Sequence, residues 1–330
     1  DASVEKCKHY RVDKMMKILV TGCNGQLGRA IRKEYEGEKV TFINTDVVEG
    51  EDVRALDITD IQAVISMVEE TKPDVIINCA AHTNVDACET QWDLAYKINA
   101  IGPRNLSIAA EKTGAKMIHV STDYVFEGNG TRPYTEFDAP NPVSAYGKTK
   151  LEGEKFVQQF SSRFFIFRTA WLYGDGKNFV KTMLRLSETH DEVSVVCDQL
   201  GSPTSAVELA KAIHHFEPTE NYGIFHATCE GDTNWAEFTE EIFKRAGKTT
   251  KVNHVTSEQE MRDAYDELLA VGDGRKKKKP TPKPQRREEL EDDFYDDIEE
   301  EEEKMSKAPI IILAIAIIVV AGLIAFMLLR

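Results

Sequence analysis

The chain has 330 residues, enough for one large domain or two smaller ones. Hydrophobic residues make up 42% and charged residues 29%, the ordinary balance of a globular protein. The formal net charge of −15 comes largely from residues 288–303, which carry twelve acidic side chains and no basic one. Because the rest of the chain is only mildly acidic, the charge gives no indication of a nucleic-acid partner.

The cysteines give no indication of a metal centre. The chain has six of them, and they are scattered without the close pairs that metal ligation or redox chemistry requires. Reduced thiols in a cytosolic environment are the interpretation we favour, and no metal site is predicted.

From residue 16 onward, short apolar runs alternate with helical stretches. Strands are predicted at 17–20, 40–44, 74–78, 116–121 and 164–169, and helices at 25–35, 60–70, 87–113 and 147–159. Repeated strand–helix units with buried β-branched runs are typical of a parallel sheet covered on both faces. The pattern predicts an α/β, Rossmann-like fold with a doubly wound parallel sheet. Residues 1–15 are an extension without the apolar core of a signal peptide.

A smaller lobe is predicted after about residue 170. Its expected elements are helices at 177–188, 206–216 and 234–246 and short strands near 193–197 and 223–227. We expect this lobe to bind substrate and to form one domain, residues 16–255, together with the parallel sheet.

The composition changes beyond residue 255. Residues 256–271 are compatible with one helix, in which Ser257 and Glu260 have the spacing of a capping box. Residues 272–308 contain a basic, proline-rich block at 275–287 and the acidic block at 288–303. Neither block can bury a core, so we expect a charged, disordered linker.

An uncharged apolar segment, residues 309–329, follows the linker. At about 1.5 Å per residue, it has the length of a bilayer core, roughly 30 Å. Lys304 and Lys307 precede it, and only Arg330 follows it. The positive-inside rule therefore predicts a C-terminal transmembrane anchor with the α/β domain on the cytoplasmic side.

A glycine-rich turn follows the first predicted strand. The turn opens the first helix and contains Gly22, Gly25 and Gly28, with Gln26 and Leu27 between the last two. The first glycine permits a tight turn, the second permits close approach of a pyrophosphate, and the third permits close helix–strand packing. This arrangement predicts a dinucleotide site.

Two aspartates are candidates for the adenosine end of that site. Asp46 ends the second strand, where a carboxylate can accept hydrogen bonds from ribose hydroxyls. Because the same carboxylate disfavours a 2′-phosphate, NADH is expected to bind more easily than NADPH. Asp57 is placed near the adenine edge by its position after the next segment of the chain.

The pattern Tyr-x-x-x-Lys occurs four times, and only one copy lies in a suitable context. Tyr146 and Lys150 open a helix beyond the strand that ends at Thr122, at the sheet edge where ligands bind in such folds. Ketone reduction needs a proton for the developing alkoxide. We expect the Lys150 ammonium to lower the pKa of the Tyr146 phenol, and Thr122 to hydrogen-bond the carbonyl oxygen.

Seven ordered motifs support a resemblance over residues 16–255. They are GCNGQLG, NCAAHTNVDACE, STDYVF, YGKTKLEGE, FRTAWLYG, NFVKTMLRL and DQLGSPT. Together they resemble the dTDP-4-dehydrorhamnose reductases, a family of extended short-chain dehydrogenases. The resemblance implies that NADPH or NADH reduces the 4-keto group of dTDP-6-deoxy-L-lyxo-4-hexulose, giving dTDP-L-rhamnose.

The same resemblance assigns site residues. It implies that Thr122, Tyr146 and Lys150 are the catalytic trio. It also implies two sets of lining residues: Ala80, Ala81, His82 and Asn99 for the cofactor, and Thr83, Val85, Tyr124 and Trp171 for the sugar nucleotide. Considered without the resemblance, Trp171 and His82 are equally compatible with packing roles.

The chain departs from the family pattern after residue 255. Family members continue with an Arg/Pro-containing segment that closes the sugar pocket, and this segment is absent from the sequence. Two alternatives therefore stay open. One is a non-catalytic, membrane-tethered dinucleotide-binding regulator, and the other is an epimerase or dehydratase acting on another sugar nucleotide. A homodimer is compatible with every one of these interpretations.

Overall fold

Strands and helices alternate along the first part of the chain. The computed structural model of the protein describes residues 15–262. Its first elements are β1 (Met16–Thr21), α1 (Gln26–Glu34), β2 (Val40–Asp46), β3 (Arg54–Ala55), α2 (Ile61–Thr71), β4 (Val75–Asn78), α3 (Val85–Thr90), α4 (Trp92–Tyr96), α5 (Gly102–Thr113), β5 (Lys116–Thr122), α6 (Ala145–Phe160) and β6 (Phe164–Thr169). A π-helical turn, Lys97–Ile101, joins α4 to α5, and a 3₁₀ turn, Asp123–Val125, follows β5. The predicted alternation of elements is confirmed.

Shorter elements follow after residue 170. They are β7 (Leu172–Tyr173), α7 (Phe179–Leu186), β8 (Glu192–Val196), β9 (Leu200–Gly201), β10 (Thr204–Ser205), α8 (Ala206–Phe216), β11 (Gly223–His226), β12 (Thr233–Asn234), α9 (Trp235–Arg245) and β13 (Lys251–Val255). Strand β8 pairs with β13, β7 with β10, and β9 with β12. Together with α7 and α9, these pairs form a lobe with its own apolar core, which includes Met183, Val193 and Phe243.

The main sheet has seven strands in the order β11-β6-β5-β4-β1-β2-β3, and its neighbouring strands are parallel. The direction of winding changes at β1, which lies between β2 and β4. In such sheets, ligands bind beyond the carboxyl ends of the strands at this switch point. The doubly wound, Rossmann-like prediction is confirmed, and the topology places the glycine-rich turn beside the end of β4.

Side chains that alternate along the strands fill two apolar layers. On one face, Ile18, Val20 and Phe165 pack with residues of α1 and α8. On the other face, Leu19 and Ile76 belong to a layer that also contains residues of α2, α5 and α6. Burying one aliphatic side chain completely stabilises the folded state by roughly 1.5–3 kcal/mol. Together, the two layers therefore hold the ends of the strands in place.

Two elements expected in the smaller lobe belong instead to the main sheet. Strand β11 pairs with β6, with Gly223 opposite Phe165. Helix α8 packs on α1 through Leu209 and Ile213, which contact the layer that contains Ile31. After forming part of the lobe, the chain therefore returns to the sheet and adds its seventh strand. A short apolar run such as 223–226 does not reveal from its sequence which sheet it joins.

The predicted capping box is shifted by one residue. Residues 257–262 are helical, and the residue before them, Thr256, is the one that caps. The Thr256 hydroxyl accepts from the Gln259 amide at 3.2 Å, and the Gln259 side chain accepts from the Thr256 amide at 2.9 Å. Ser257 instead donates to the Asp198 carboxylate at 2.7 Å, which fixes the start of this helix to the lobe.

Several predictions lie outside the described residues. These are the extension before residue 15, the part of the helix at 263–271, the linker at 272–308 and the transmembrane segment at 309–329. Within residues 15–262, no helix is long and apolar enough to cross a membrane.

Candidate active site

The glycine-rich turn lies against the segment that follows β4. Gly22 has a φ of +61°, and a Cβ at this position would lie 2.8 Å from the Ala80 amide nitrogen. A Cβ on Gly28 would lie 2.6 Å from Cys23 Cα. Both positions therefore require glycine, as predicted, and the turn brings Ala80 next to the start of α1. The N-cap, Gly25, makes no side-chain capping hydrogen bond, so the first amides of α1 face outward.

The two side chains inside the turn point away from a pyrophosphate. The Gln26 side chain donates to the Leu172 carbonyl at 3.1 Å and so joins α1 to the lobe. Leu27 is 5% exposed and packs in the apolar layer against α8. Both residues can therefore contact a phosphate only through their backbone amides.

The two candidate aspartates occupy different environments. The Asp46 carboxylate accepts from the Asn24 amide at 3.0 Å and from the Val47 amide at 2.8 Å, so it borders the turn. Asp57 is exposed and accepts from the Thr59 amide at 2.8 Å. Asp46 is thus fixed beside the turn, whereas the described contact of Asp57 is to its own loop.

Helix α6 places the predicted tyrosine and lysine on one face. Ser144 caps the helix by accepting from the Gly147 amide at 3.1 Å, which sets its first turn next to Thr122 at the end of β5. The Tyr146 phenol forms a hydrogen bond with Thr122. The Lys150 ammonium, 2% exposed, donates to the Val120 carbonyl at 2.7 Å. The structure therefore brings the three residues together.

The pKa of Tyr146 shifts in the direction opposite to the one predicted. Burial of the phenol raises the pKa of Tyr146, the neighbouring Asp123 carboxylate raises it further, and the hydrogen bond with Thr122 lowers it. Lys150 donates to the strand carbonyl and does not offset the burial. The phenol is consequently protonated at neutral pH, which is the form that donates a proton.

Burial has the opposite effect on the lysine. It lowers the pKa of Lys150 to about 8, although the Glu154 carboxylate and Cys79 both raise this pKa. A buried ammonium is unfavourable because the interior solvates charge poorly. Lys150 therefore titrates close to neutral pH rather than near its ordinary value.

His82 and Asn99 are held together by two hydrogen bonds behind the site. The Asn99 amide oxygen accepts from the His82 backbone amide at 2.8 Å, and its nitrogen donates to the His82 carbonyl at 3.0 Å and to the Thr149 hydroxyl at 3.2 Å. The His82 ring lies 3.4 Å from Cys88 Sγ and 3.3 Å from the Gln91 side-chain oxygen. These contacts fix the loop that carries Ala80, Ala81 and Thr83.

The remaining pocket candidates lie in three different places. The Tyr124 ring meets the Tyr146 ring edge-on at 5.6 Å, so Tyr124 borders the catalytic trio. Val85 opens α3 beyond the loop after β4. Trp171, with a φ of +48°, stacks on Trp235 at 3.5 Å between ring centroids. Its described ring contacts are therefore within the lobe, as the packing interpretation predicts.

Sequence reasoning missed a buried ion pair below α6. The Arg168 guanidinium donates to both carboxylate oxygens of Glu154, at 2.9 and 2.7 Å. Both residues lie inside the motifs YGKTKLEGE and FRTAWLYG, and the signal was an arginine in an otherwise apolar strand. In the described residues, no group of His, Cys, Asp and Glu side chains could hold a metal ion.

Comparison with known proteins places these features in one family. The sequence model described as the RmlD substrate binding domain matches residues 16–292. The Bacillus subtilis spore coat polysaccharide biosynthesis protein SpsK is 39% identical over 248 residues, which cover 74% of this chain and 84% of that protein.

Two solved structures are also similar. A dTDP-4-dehydrorhamnose reductase of Clostridium acetobutylicum is 56% identical with a TM-score of 0.71, covering 74% of this chain and 85% of that one. A dTDP-4-dehydrorhamnose reductase of Bacillus anthracis in complex with NADP is 41% identical with a TM-score of 0.70, covering 74% and 86%. The chain therefore belongs to the RmlD substrate binding domain family.

Proposed function

We propose that the protein reduces the 4-keto group of a dTDP-linked 6-deoxyhexulose to give dTDP-L-rhamnose, with NADPH or NADH as the hydride donor. The observation that carries this proposal is that Thr122, Tyr146 and Lys150 lie together at the carboxyl end of β5 and the start of α6. The similarity to dTDP-4-dehydrorhamnose reductases, up to 56% identity, identifies the substrate class. The product belongs to cell-surface polysaccharide biosynthesis, as the name of the Bacillus subtilis relative also indicates.

The residues of the turn fit a dinucleotide. Gly22 and Gly28 let the turn pack closely against Ala80 and Cys23, where a Cβ would clash. The start of α1 has no side-chain cap, so its first amides can bind a pyrophosphate. Asp46 borders the same turn and can accept from a ribose hydroxyl. When bound, the reduced nicotinamide supplies the hydride for the reaction.

The catalytic trio supplies the proton and the orientation. The Thr122 hydroxyl lies beside the Tyr146 phenol and donates to the Asp123 carboxylate at 2.9 Å. A substrate carbonyl oxygen placed here would accept from both hydroxyls and replace Asp123 as the acceptor of the Thr122 proton. Tyr146 donates its proton to that oxygen as negative charge develops on it. The Lys150 ammonium lies one helical turn away on the same face of α6, where it would donate a hydrogen bond to the nicotinamide ribose and hold the dinucleotide beside Tyr146.

We also infer a membrane-anchored arrangement. The uncharged segment 309–329 supports an anchor, and Lys304 and Lys307 before it support a cytoplasmic reductase domain. Fractionation of cells that express the full chain tests this inference. The protein should sediment with membranes and resist carbonate extraction, and recovery in the soluble fraction would contradict the anchor.

The substitution Tyr146→Phe tests the proposed reaction. We expect the full-length protein to oxidise NADPH or NADH when given the dTDP-4-keto-6-deoxy sugar. The variant should lose at least about 100-fold in kcat because it has no phenolic proton to donate. Dinucleotide binding, followed by nicotinamide fluorescence, should be unchanged. A variant that keeps its turnover would exclude Tyr146 as the proton donor.

The wild-type measurement also decides between the open alternatives. Dinucleotide binding without turnover of any dTDP-keto sugar would favour a non-catalytic regulator. It would also mean that the family segment missing after residue 255 is indispensable.

A further inference from the structure

The Glu154–Arg168 ion pair is buried to an unusual degree. The Glu154 side chain is 0% exposed and that of Arg168 is 4% exposed, and the two meet through a bidentate pair of hydrogen bonds. By contrast, Glu152 and Lys155 on the same helix pair at 2.6 Å with side chains that are 37% and 56% exposed. Removing two charges from water is costly, and an apolar pair of similar size often stabilises a fold equally well or better.

The surroundings of Arg168 satisfy its guanidinium only in part. One face of the guanidinium lies 5.1 Å from the centre of the Phe126 ring, a favourable cation–π contact. Its Nη1 atom is buried and has no hydrogen-bond partner among the described atoms. A buried donor without a partner reduces stability. These features indicate that the pair acts on the neighbouring site of Thr122, Tyr146 and Lys150 and does not serve the stability of the core alone.

The pair lies directly beside the catalytic lysine. Lys150 and Glu154 are separated by four residues and so occupy the same face of α6. Arg168 lies in register with Ser121, one residue before Thr122. Lys150 is tied to β5 through the Val120 carbonyl, and Glu154 is tied to β6 through Arg168.

Four titratable groups face the Lys150 ammonium from the elements packed around it. Glu154 lies on α6 itself, and Cys79 follows β4. His119 lies on β5 and is fully buried, and the charge on Lys150 helps to lower the pKa of His119. Tyr146 lies one turn earlier on α6. Of the four, Glu154 is the group that raises the pKa of Lys150 most, and its carboxylate is held in place by the Arg168 guanidinium.

We propose that Glu154 and Arg168 are positioning residues for the reaction, with Glu154 keeping the Lys150 ammonium charged and Arg168 holding the Glu154 carboxylate beside it. This inference rests on the proposed reductase function. It assigns the ion pair to catalysis through Lys150, without contact to substrate or cofactor.

The first test follows the titration of Lys150 directly. NMR of the full-length protein labelled at the lysine Cε carbons reports each ammonium, and the Lys150→Met variant identifies the relevant signal. The wild-type midpoint should lie at about pH 8. In Glu154→Gln, it should fall by about one pH unit, and in the matched control Glu152→Gln it should stay in place. An unchanged midpoint in Glu154→Gln would overturn the proposal.

The second test follows turnover. In Glu154→Gln, the pH at which kcat declines on the alkaline side should fall by the same amount, while KM for the sugar nucleotide stays nearly constant. The NMR titration does not need turnover. A wild-type protein that shows the expected titration but no reduction would therefore refute the proposed function and leave the electrostatic link standing.

A third variant separates electrostatics from folding. Glu154→Gln leaves Arg168 unpaired, which can destabilise the protein. The double variant Glu154→Gln/Arg168→Met removes both charges and should recover stability in urea. Because this double variant also removes the opposing charge of Arg168, it is compared with the single variant Arg168→Met. The Lys150 midpoint should be lower in the double variant than in Arg168→Met, and equal midpoints in these two proteins would overturn the proposal.

Discussion

At the scale of single residues, Asp46 fixes a carboxylate beside the glycine-rich turn. It accepts from the Asn24 and Val47 amides, so its charge cannot move far from the turn. A carboxylate there favours a free ribose hydroxyl and repels a 2′-phosphate. The similar reductase from Bacillus anthracis was solved in complex with NADP. The preference of this chain between NADH and NADPH therefore depends on how strongly Asp46 disfavours the 2′-phosphate.

The substitution Asp46→Asn measures that discrimination. The amide keeps the shape of the side chain and removes its charge, so NADPH should bind more tightly relative to NADH. We expect the ratio of the two Kd values to change by about tenfold, which corresponds to about 1.4 kcal/mol. Fluorescence titration with each dinucleotide gives both constants. An equal change for NADH and NADPH would show that Asp46 supports the turn without selecting the cofactor.

The sequence predicted that Thr122, Tyr146 and Lys150 lie together, and the structure shows the environment that shifts the pKa values of Tyr146 and Lys150. The spacing of Tyr146 and Lys150 and their position after a strand were sufficient to place them together. The direction of the Tyr146 pKa shift was wrong, because burial depends on packing from parts of the chain that are distant in sequence. The ion pair between Glu154 and Arg168 was missed for the same reason, since its partners lie on different elements.

At the scale of elements, the close contact between α6 and the π-helical turn supports the site. A Cβ on Gly153 would overlap the Asn99 carbonyl oxygen. Asn99 in turn holds the His82 backbone and the Thr149 hydroxyl on α6. Glycine at position 153 therefore lets α6 approach the segment that carries Asn99, and this approach sets the distance of Lys150 from the loop after β4.

The substitution Gly153→Ala tests this contact. The added methyl group should push α6 away from the π-helical turn, lowering the free energy of unfolding by about 1–3 kcal/mol. Urea denaturation measures this loss. The control is Gly50→Ala, where a Cβ would meet its nearest neighbour at an ordinary 3.7 Å and should have little effect. Equal free energies of unfolding for the two variants would show that α6 can shift without loss of stability.

Element boundaries were more predictable than element partners. The strands and helices from 17 to 169 follow from their apolar periodicity. The sequence did not show that β11 returns to the main sheet, because pairing with β6 is a non-local choice. The N-cap was predicted at Ser257, one residue after its position in the structure, Thr256. Thr256 with Gln259 and Ser257 with Glu260 both have the spacing of a capping box, and in the structure Ser257 is hydrogen-bonded to Asp198 instead.

At the scale of the whole molecule, buried histidines make stability depend on pH. Burial lowers the pKa of His82, His119 and His226, most strongly for His119. In the folded protein, these rings take up protons only at a lower pH than in the unfolded chain, where they do so below about pH 6.5. Their contribution to stability is therefore present above pH 6.5 and is lost as the pH falls below it.

The substitution His119→Asn should reduce that dependence. A histidine that stays neutral when folded adds a slope of up to about 1.4 kcal/mol per pH unit below its unfolded pKa. Urea unfolding between about pH 7 and about pH 5.5 should show a shallower slope for His119→Asn than for the wild type. The exposed control His215→Gln should keep the wild-type slope. Identical slopes in all three proteins would assign the acid sensitivity to other groups.

The most direct test of the central claim is the transfer of an isotope label to the sugar. The full-length protein would be incubated with the dTDP-4-keto-6-deoxy sugar and a nicotinamide dinucleotide deuterated at the transferable position of the reduced ring. We predict that the product is dTDP-L-rhamnose with one deuterium at carbon 4 of the sugar, detected by mass spectrometry and NMR, and that the Tyr146→Phe variant forms none. Unlabelled product, or a label at another carbon, would contradict the reduction proposed for this site.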